Sequence, residues 1–227
     1  IQADLNSSGD IYVGGVAAYS TAAITDAEND GNITVDIRGN RAYIGGIVGC
    51  GEAGLAQAYN YGGIEASLNT TGASYAGGVV GYVPDSITSS GNEGDLSVNA
   101  RYSGGGAGYA GGSSSEDRIV IDFCYNSGAI TNTGKTGSSI GGLVAGTVHS
   151  EILHCYNVGK VENLSVSLSP SAMAGVAAVS NFYVSLDDVY NLGDIRSAAS
   201  VTDIGALAAG TATPISGGYY KAECVLR

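Results

Sequence analysis

One pattern recurs along this chain and decides what it can fold into. Asn-x-Gly-x-(Ile/Leu/Val) occurs six times, on Asn29, Asn60, Asn92, Asn126, Asn157 and Asn191, with spacings of 31, 32, 34, 31 and 34 residues. Five places before each asparagine stands a branched aliphatic: Ile24, Leu55, Ile87, Ile121, Ile152 and Leu186. A second block lies between these copies. It reads Tyr12-Val13-Gly14-Gly15, Tyr43-Ile44-Gly45-Gly46 and Tyr75-Ala76-Gly77-Gly78, with weaker copies as far as Ile204-Gly205. Self-similarity at such a period marks a repeat architecture, in which each unit buries its apolar face only against its neighbours.

Composition selects among repeat folds. Helical repeats need long amphipathic helices. Here glycine takes 37 of 227 positions and interrupts every window of about ten residues, which disfavours helix throughout. The short uninterrupted runs, Ile33–Ile37 and Ile119–Ile121, are β-branched and suit strands. A unit of about 32 residues holds three short strands and three bends, each strand stacking in parallel about 4.8 Å from its copy in the next turn. The expected fold is therefore all-β: a right-handed parallel β-helix (β-solenoid) of about seven turns. It is expected to form a single domain over 1–227. The repeats run from about 11 to about 220, and 217–227 reads as a cap or as the start of a next domain. Inside, like sits on like. The Ile/Leu columns form apolar ladders, and the asparagines form a ladder of amides at a bend. The glycine two places after each asparagine is expected at φ > 0.

Charge narrows the partners. Nine basic residues against 21 acidic ones give a net charge of −12. Nucleic acid and anionic lipid both call for a cationic patch, so neither is expected. No run reaches the roughly 18 apolar residues of a membrane span, so no membrane insertion is expected. The chain starts at Ile1 without methionine or a basic-plus-apolar leader and reads as a segment of a longer protein. Neighbouring domains of that parent are expected to cover the open ends of the coil.

Two stretches carry a family resemblance: YIGGIVGCGEAGLAQAYNYGGIEAS (Tyr43–Ser67) and IGGLVAGTVHSEILHCYNVGKVEN (Ile140–Asn163). They resemble the GLUG repeat, with its outline G-G-[LIV]-V-G, a spacer, then I-x-x-C-Y-x-x-G-x-[VI]. The resemblance extends from about Ile11 to about Tyr220. It implies a place in a large bacterial cell-surface or secreted protein, such as an adhesin-like protein or the non-catalytic region of an immunoglobulin A1 protease. It implies a structural or adhesion module, or a recognition or spacer region of a secreted metalloprotease, with a host protein or glycan as partner. The metalloprotease motif His-Glu-x-x-His is itself missing, since neither His149 nor His154 is followed by glutamate.

Candidate sites are few. Eleven of fifteen tyrosines fall in three columns: Tyr12, Tyr43, Tyr75, Tyr102; Tyr19, Tyr82, Tyr109; and Tyr59, Tyr125, Tyr156, Tyr190. The last is the candidate ligand column, because outward rings can meet a sugar or a protein partner; the alternative is that the rings stack on each other. Between the second glycine and the asparagine the distance is 14 residues in the first three turns and 21 in the fourth. That insertion, Ala110–Asp117 with Ser113, Glu116 and Asp117, reads as a loop leaving a rigid scaffold, where binding is often placed. Ser165–Ser171 reads as a smaller protrusion. Asp26, Glu28 and Asp30 are spaced like the first half of a calcium loop, but Ile37 stands where the bidentate glutamate belongs. No cofactor is expected. Cys124 and Cys155 share one inward slot and are close enough either for a disulfide or for a ladder of reduced core thiols, which is the preferred reading. A β-helix hydrolase would draw on Asp122, Asp187, Asp188 and Glu151. Asp122 and Asp187 should lie roughly 10 Å apart with Leu153 between, and no Lys or Arg column supports them, so catalysis is not expected.

Overall fold

The computed structural model describes residues 1–134, 137–210 and 214–226, which contain strands and turns and no helix. They wind into a parallel β-solenoid of about seven turns with a repeat of about 32 residues. One strand of each turn joins an eight-stranded sheet, as Ile33–Gly39 does, and the next joins a seven-stranded sheet, as Ala42–Gly45 does. Two successive segments, such as Val48–Gly51 and Leu55–Asn60, then join a sixteen-stranded sheet. The three expected sides are present, and the third carries two segments instead of one.

Register follows the repeats. Tyr12, Tyr43, Tyr75 and Tyr102 are successive partners. So are Asn29, Asn60, Asn92, Asn126, Asn157 and Asn191. The amides form one directed chain. From Asn29 to Asn157, each Nδ2 donates to the next turn's Oδ1 at 2.7–2.8 Å. All six, Asn191 included, donate to the carbonyl of the glycine two places on, at 2.7–3.0 Å. Both donor hydrogens of the first five amides are thus used, as burial requires.

The reason for glycine differs from the expectation. None of the glycines after the asparagines adopts positive φ. A Cβ on Gly62, Gly94, Gly128 or Gly159 would instead fall on the carbonyl oxygen of the equivalent glycine one turn earlier. The left-handed backbone lies five residues upstream, three places before each asparagine. Asp26, Gln57, Ser89, Phe123, His154 and Asp188 all have φ between 47° and 54°, and Gly217 fills the same slot at 58°. Such φ is uncommon outside glycine. Inter-turn bonds hold it at each storey: Ser89 N donates to Asp122 O (2.9 Å) and His154 N to Asp187 O (3.1 Å).

The core has two lobes. Ile33, Ile44, Leu96, Ile130, Ile140 and Ile195 lie in one, between the first two sheets. Val48, Leu55, Ile87, Ile121, Ile152 and Leu186 lie in the other, within the folded third sheet. The amide ladder forms the waist between them. A Cβ on Gly46, Gly78 or Gly105, each the second glycine of its block, would fall on the amide of that turn's own asparagine. The two repeated motifs are thus the two halves of one contact.

Candidate functional site

The first two tyrosine columns are structural. Tyr12, Tyr43, Tyr75 and Tyr102 stack with centroids 4.9–5.2 Å apart. Tyr82 and Tyr109 stack at 5.4 Å and meet the first column edge-on at 5.5–6.1 Å. They zip the corner between the second and third sheets. The second column has a member that the tyrosine pattern hides: Cys50 pairs with Tyr19 on one side and Tyr82 on the other. Burial pushes its thiol up to about 11, with Glu52 adding to the effect. Burial, then neighbouring phenols, raises Tyr75 and Tyr109 to about 12.

The candidate ligand column lies beyond the left-handed corner. Tyr125, Tyr156 and Tyr190 stack face to face, 5.3 and 4.9 Å apart and within 13° of parallel. Their ring faces are therefore largely occupied by one another, which leaves edges and hydroxyls outward. Tyr125 donates to Glu93 Oε1 at 2.9 Å, and burial together with that bond pushes its phenol well up. Tyr59 stands apart, because Gly91 holds the rung between and Tyr125 leans over it. The same outer face carries Val158 and Leu192, both exposed.

The inserted loop joins the two segments of the third sheet in the fourth turn. Ser113 Oγ donates to Asp117 Oδ2 at 2.7 Å, and Asp117 N donates to Ser114. Glu116 is exposed. The loop and the Tyr125 column lie at opposite ends of the second segment, with the left-handed corner between them. They are separate features.

Asp26, Glu28 and Asp30 follow one another at the first storey of the third side. Asp26 and Glu28 lie within a strand, Ile24–Asn29, and Asp30 directly follows it. No group of His, Cys, Asp and Glu among the described residues is placed to hold a metal. The four cysteines are buried and unpaired. Cys124 N donates to Cys155 Sγ at 3.3 Å, and burial drives the Cys155 thiol well up.

Asp122 and Asp187 flank Leu153 in adjacent turns, as the spacing predicted. Each carboxylate has its own surroundings. Glu151 is bridged by Arg118 at 2.8 Å. Asp122 Oδ1 lies 2.7 Å from His154 Nδ1, and the bond raises the His154 pKa, with burial opposing and Asp187 and Asp188 adding a smaller push. His154 also stacks on Phe123, with centroids 4.7 Å apart. This group was missed from sequence, although the signal was there: position −3 of the asparagine repeat is the left-handed slot, and its side chains project from the corner. Elsewhere, a shallow recess on the first sheet, lined by Asp4, Asp36 and Glu65 among others, is acidic and open. No family model matches the chain, and no curated protein or solved structure matches it significantly.

Proposed function

We propose that this chain is a non-catalytic rod: a structural or adhesion module of a larger bacterial protein, displayed on the cell surface or secreted. The observation that carries the reading is the amide ladder, uninterrupted from Asn29 to Asn191 and buried from Asn60 onward. It ties successive turns at one spacing, so the coil resists bending and presents its outer columns as fixed tracks. Rigid repeat surfaces of this kind suit extended contacts. The outer face adds exposed Phe123, Val158, Leu192 and Tyr219 on a chain of strongly negative charge, a combination suited to recognition of an uncharged surface. The resemblance to GLUG repeats points the same way.

The test uses the full-length protein in its own cell. Protease shaving of intact cells should release peptides of this segment, and its in-frame deletion should reduce attachment to immobilised glycan or host-matrix protein. Recovery of the protein solely from the cytosol, or unchanged attachment, would overturn the reading.

A further inference from the structure

The outer side of the third sheet changes from turn to turn. At the left-handed corner the third turn presents Ser89-Ser90-Gly91, whose two outward residues are both small. Gln57 and Tyr59 stand one storey before them, and Phe123 and Tyr125 one storey after. Tyr125 leans over Gly91 and fills that half of the rung. At Ser89 no ring stands in the slot that Phe123 and His154 fill in the next two turns. Phe123 is 61 % exposed. One face of its ring lies against His154, with the planes within 12° of parallel. Stacking along the column turns the opposite face toward Ser89.

The gap is one storey high, about 4.8 Å, close to the separation of stacked rings in the neighbouring columns. Its rim is polar. Gln57 is exposed one storey before it, and Ser89 itself is half-buried. Asp122 stands beside it with Oδ1 held by His154, which leaves its second oxygen as an acceptor. An aromatic floor with hydroxyl, amide and carboxylate at the edge matches a molecule that is apolar on one face and hydroxylated around its rim. An extended peptide fits less well: the backbone here already bonds between turns, as Ser89 N does to Asp122 O, so no free ladder is on offer.

We propose that this gap is a carbohydrate subsite: a pyranose ring seats at Ser89 with its C–H face on Phe123 and its hydroxyls bonded by Gln57, Ser89 and Asp122. The sugar is neutral or amino-bearing. Asp122, with Asp187 and Asp188 two storeys on and a net charge of −12, opposes uronates and sialylated glycans. The proposal deepens the adhesion reading and rests on it, yet it can fail alone, since the rod could attach through another face.

Binding is expected to be weak, about millimolar for one ring, and to strengthen along an oligomer. The experiment is an NMR titration of the isotope-labelled chain with cellotetraose, glucosamine tetramer and galacturonate tetramer. The first two should shift the amides of Gln57, Ser89 and Phe123, and the third should not. Phe123→Ala should weaken binding about tenfold, a loss on the scale of one aromatic contact. Phe123→Trp should retain it. Ser89→Phe, which completes the ring column, should abolish it with the melting temperature maintained. No shift with either of the first two probes, equal binding of galacturonate, or full binding by Ser89→Phe would overturn the proposal. Cell attachment measured in parallel separates failure of the subsite from failure of the adhesion reading.

Discussion

Gly46 and Asn60 share one volume. A Cβ on Gly46 would fall on the Asn60 amide and on the carbonyl of Gly78 in the next turn. The contact is internal to one turn, yet Asn60 is also a link in the ladder between turns. Gly46→Ala must therefore displace a side chain with no free direction to move, together with a backbone that neighbouring storeys hold. The expected cost is about 3 kcal/mol or more, the scale of overpacking combined with disturbed buried polar groups. A fall in melting temperature of roughly 6–12 °C follows for a chain of this size. Asn60→Ala should not rescue the variant, because the Gly78 carbonyl still blocks the Cβ. Calorimetry of the single and double variants checks this, and a rescue to near wild type would refute the shared-volume account.

Asn126 is the middle link of the amide chain. It accepts from Asn92 and donates to Asn157 and to the Gly128 carbonyl. Asn126→Asp keeps the shape and the acceptor but removes both donors and brings in a buried charge. The loss should be about 3 kcal/mol or greater near neutral pH. It should diminish in acid, where the protonated carboxyl regains one donor. Urea unfolding at two pH values would show this as a midpoint change larger at pH 7 than at pH 4, relative to the unsubstituted chain at each pH.

Tyr43 tests what the aromatic corner contributes. It stacks between Tyr12 and Tyr75, touches Tyr82 edge-on and is buried. Tyr43→Ala opens a cavity in a column whose neighbours are fixed by the sheet, and should cost about 3–5 kcal/mol. Tyr43→Phe removes only the bond from Arg41 and should cost about 1 kcal/mol or less. Equal losses in the two variants would place the stability in the hydroxyl instead of the stack.

Repetition made the coil legible. Six asparagines at one period, with an aliphatic five places before each, fix the register of every turn, because a slip of one residue would turn each column inside out. The tyrosine columns and the Asp122–Leu153–Asp187 order were readable for the same reason. Three features were not. The left-handed turn within the second segment of the third side was hidden, because a non-glycine residue makes it, and Asp26, Gln57, Ser89 and Phe123 share no side-chain character that announces it. The role of Gly62 and its copies was misassigned, because a close approach between turns and a positive φ demand the same residue. The His154–Asp122 pair joins positions −3 and −4 of different turns, so it emerges only once the rungs are aligned.

The thiols should be inert in the native state. Reaction with iodoacetamide needs the thiolate. Burial raises Cys50 to about 11 and drives Cys155 well above the usual thiol range. Mass spectrometry after alkylation at pH 8 should find both largely unmodified in the folded chain and fully modified in denaturant. Rapid native labelling of Cys155 would contradict the closed core around the Cys124–Cys155 rung.

His154 gives the corner a pH dependence with a definite sign. Its folded pKa is raised, chiefly by the bond to Asp122. A raised pKa means that the protonated ring binds the folded chain better. The stability it supplies is therefore fully present below the unfolded value, about 6.5, and is lost as pH rises through the folded value. The ring is exposed at the surface, so screening by salt weakens the effect. An NMR titration of the His154 ring protons should give a midpoint above 6.5 that falls toward it in Asp122→Asn and in high salt. Asp188→Asn should lower it less, because Asp188 acts only at a distance while Asp122 holds the ring directly. A midpoint unchanged by Asp122→Asn would show that the 2.7 Å contact does not govern the titration.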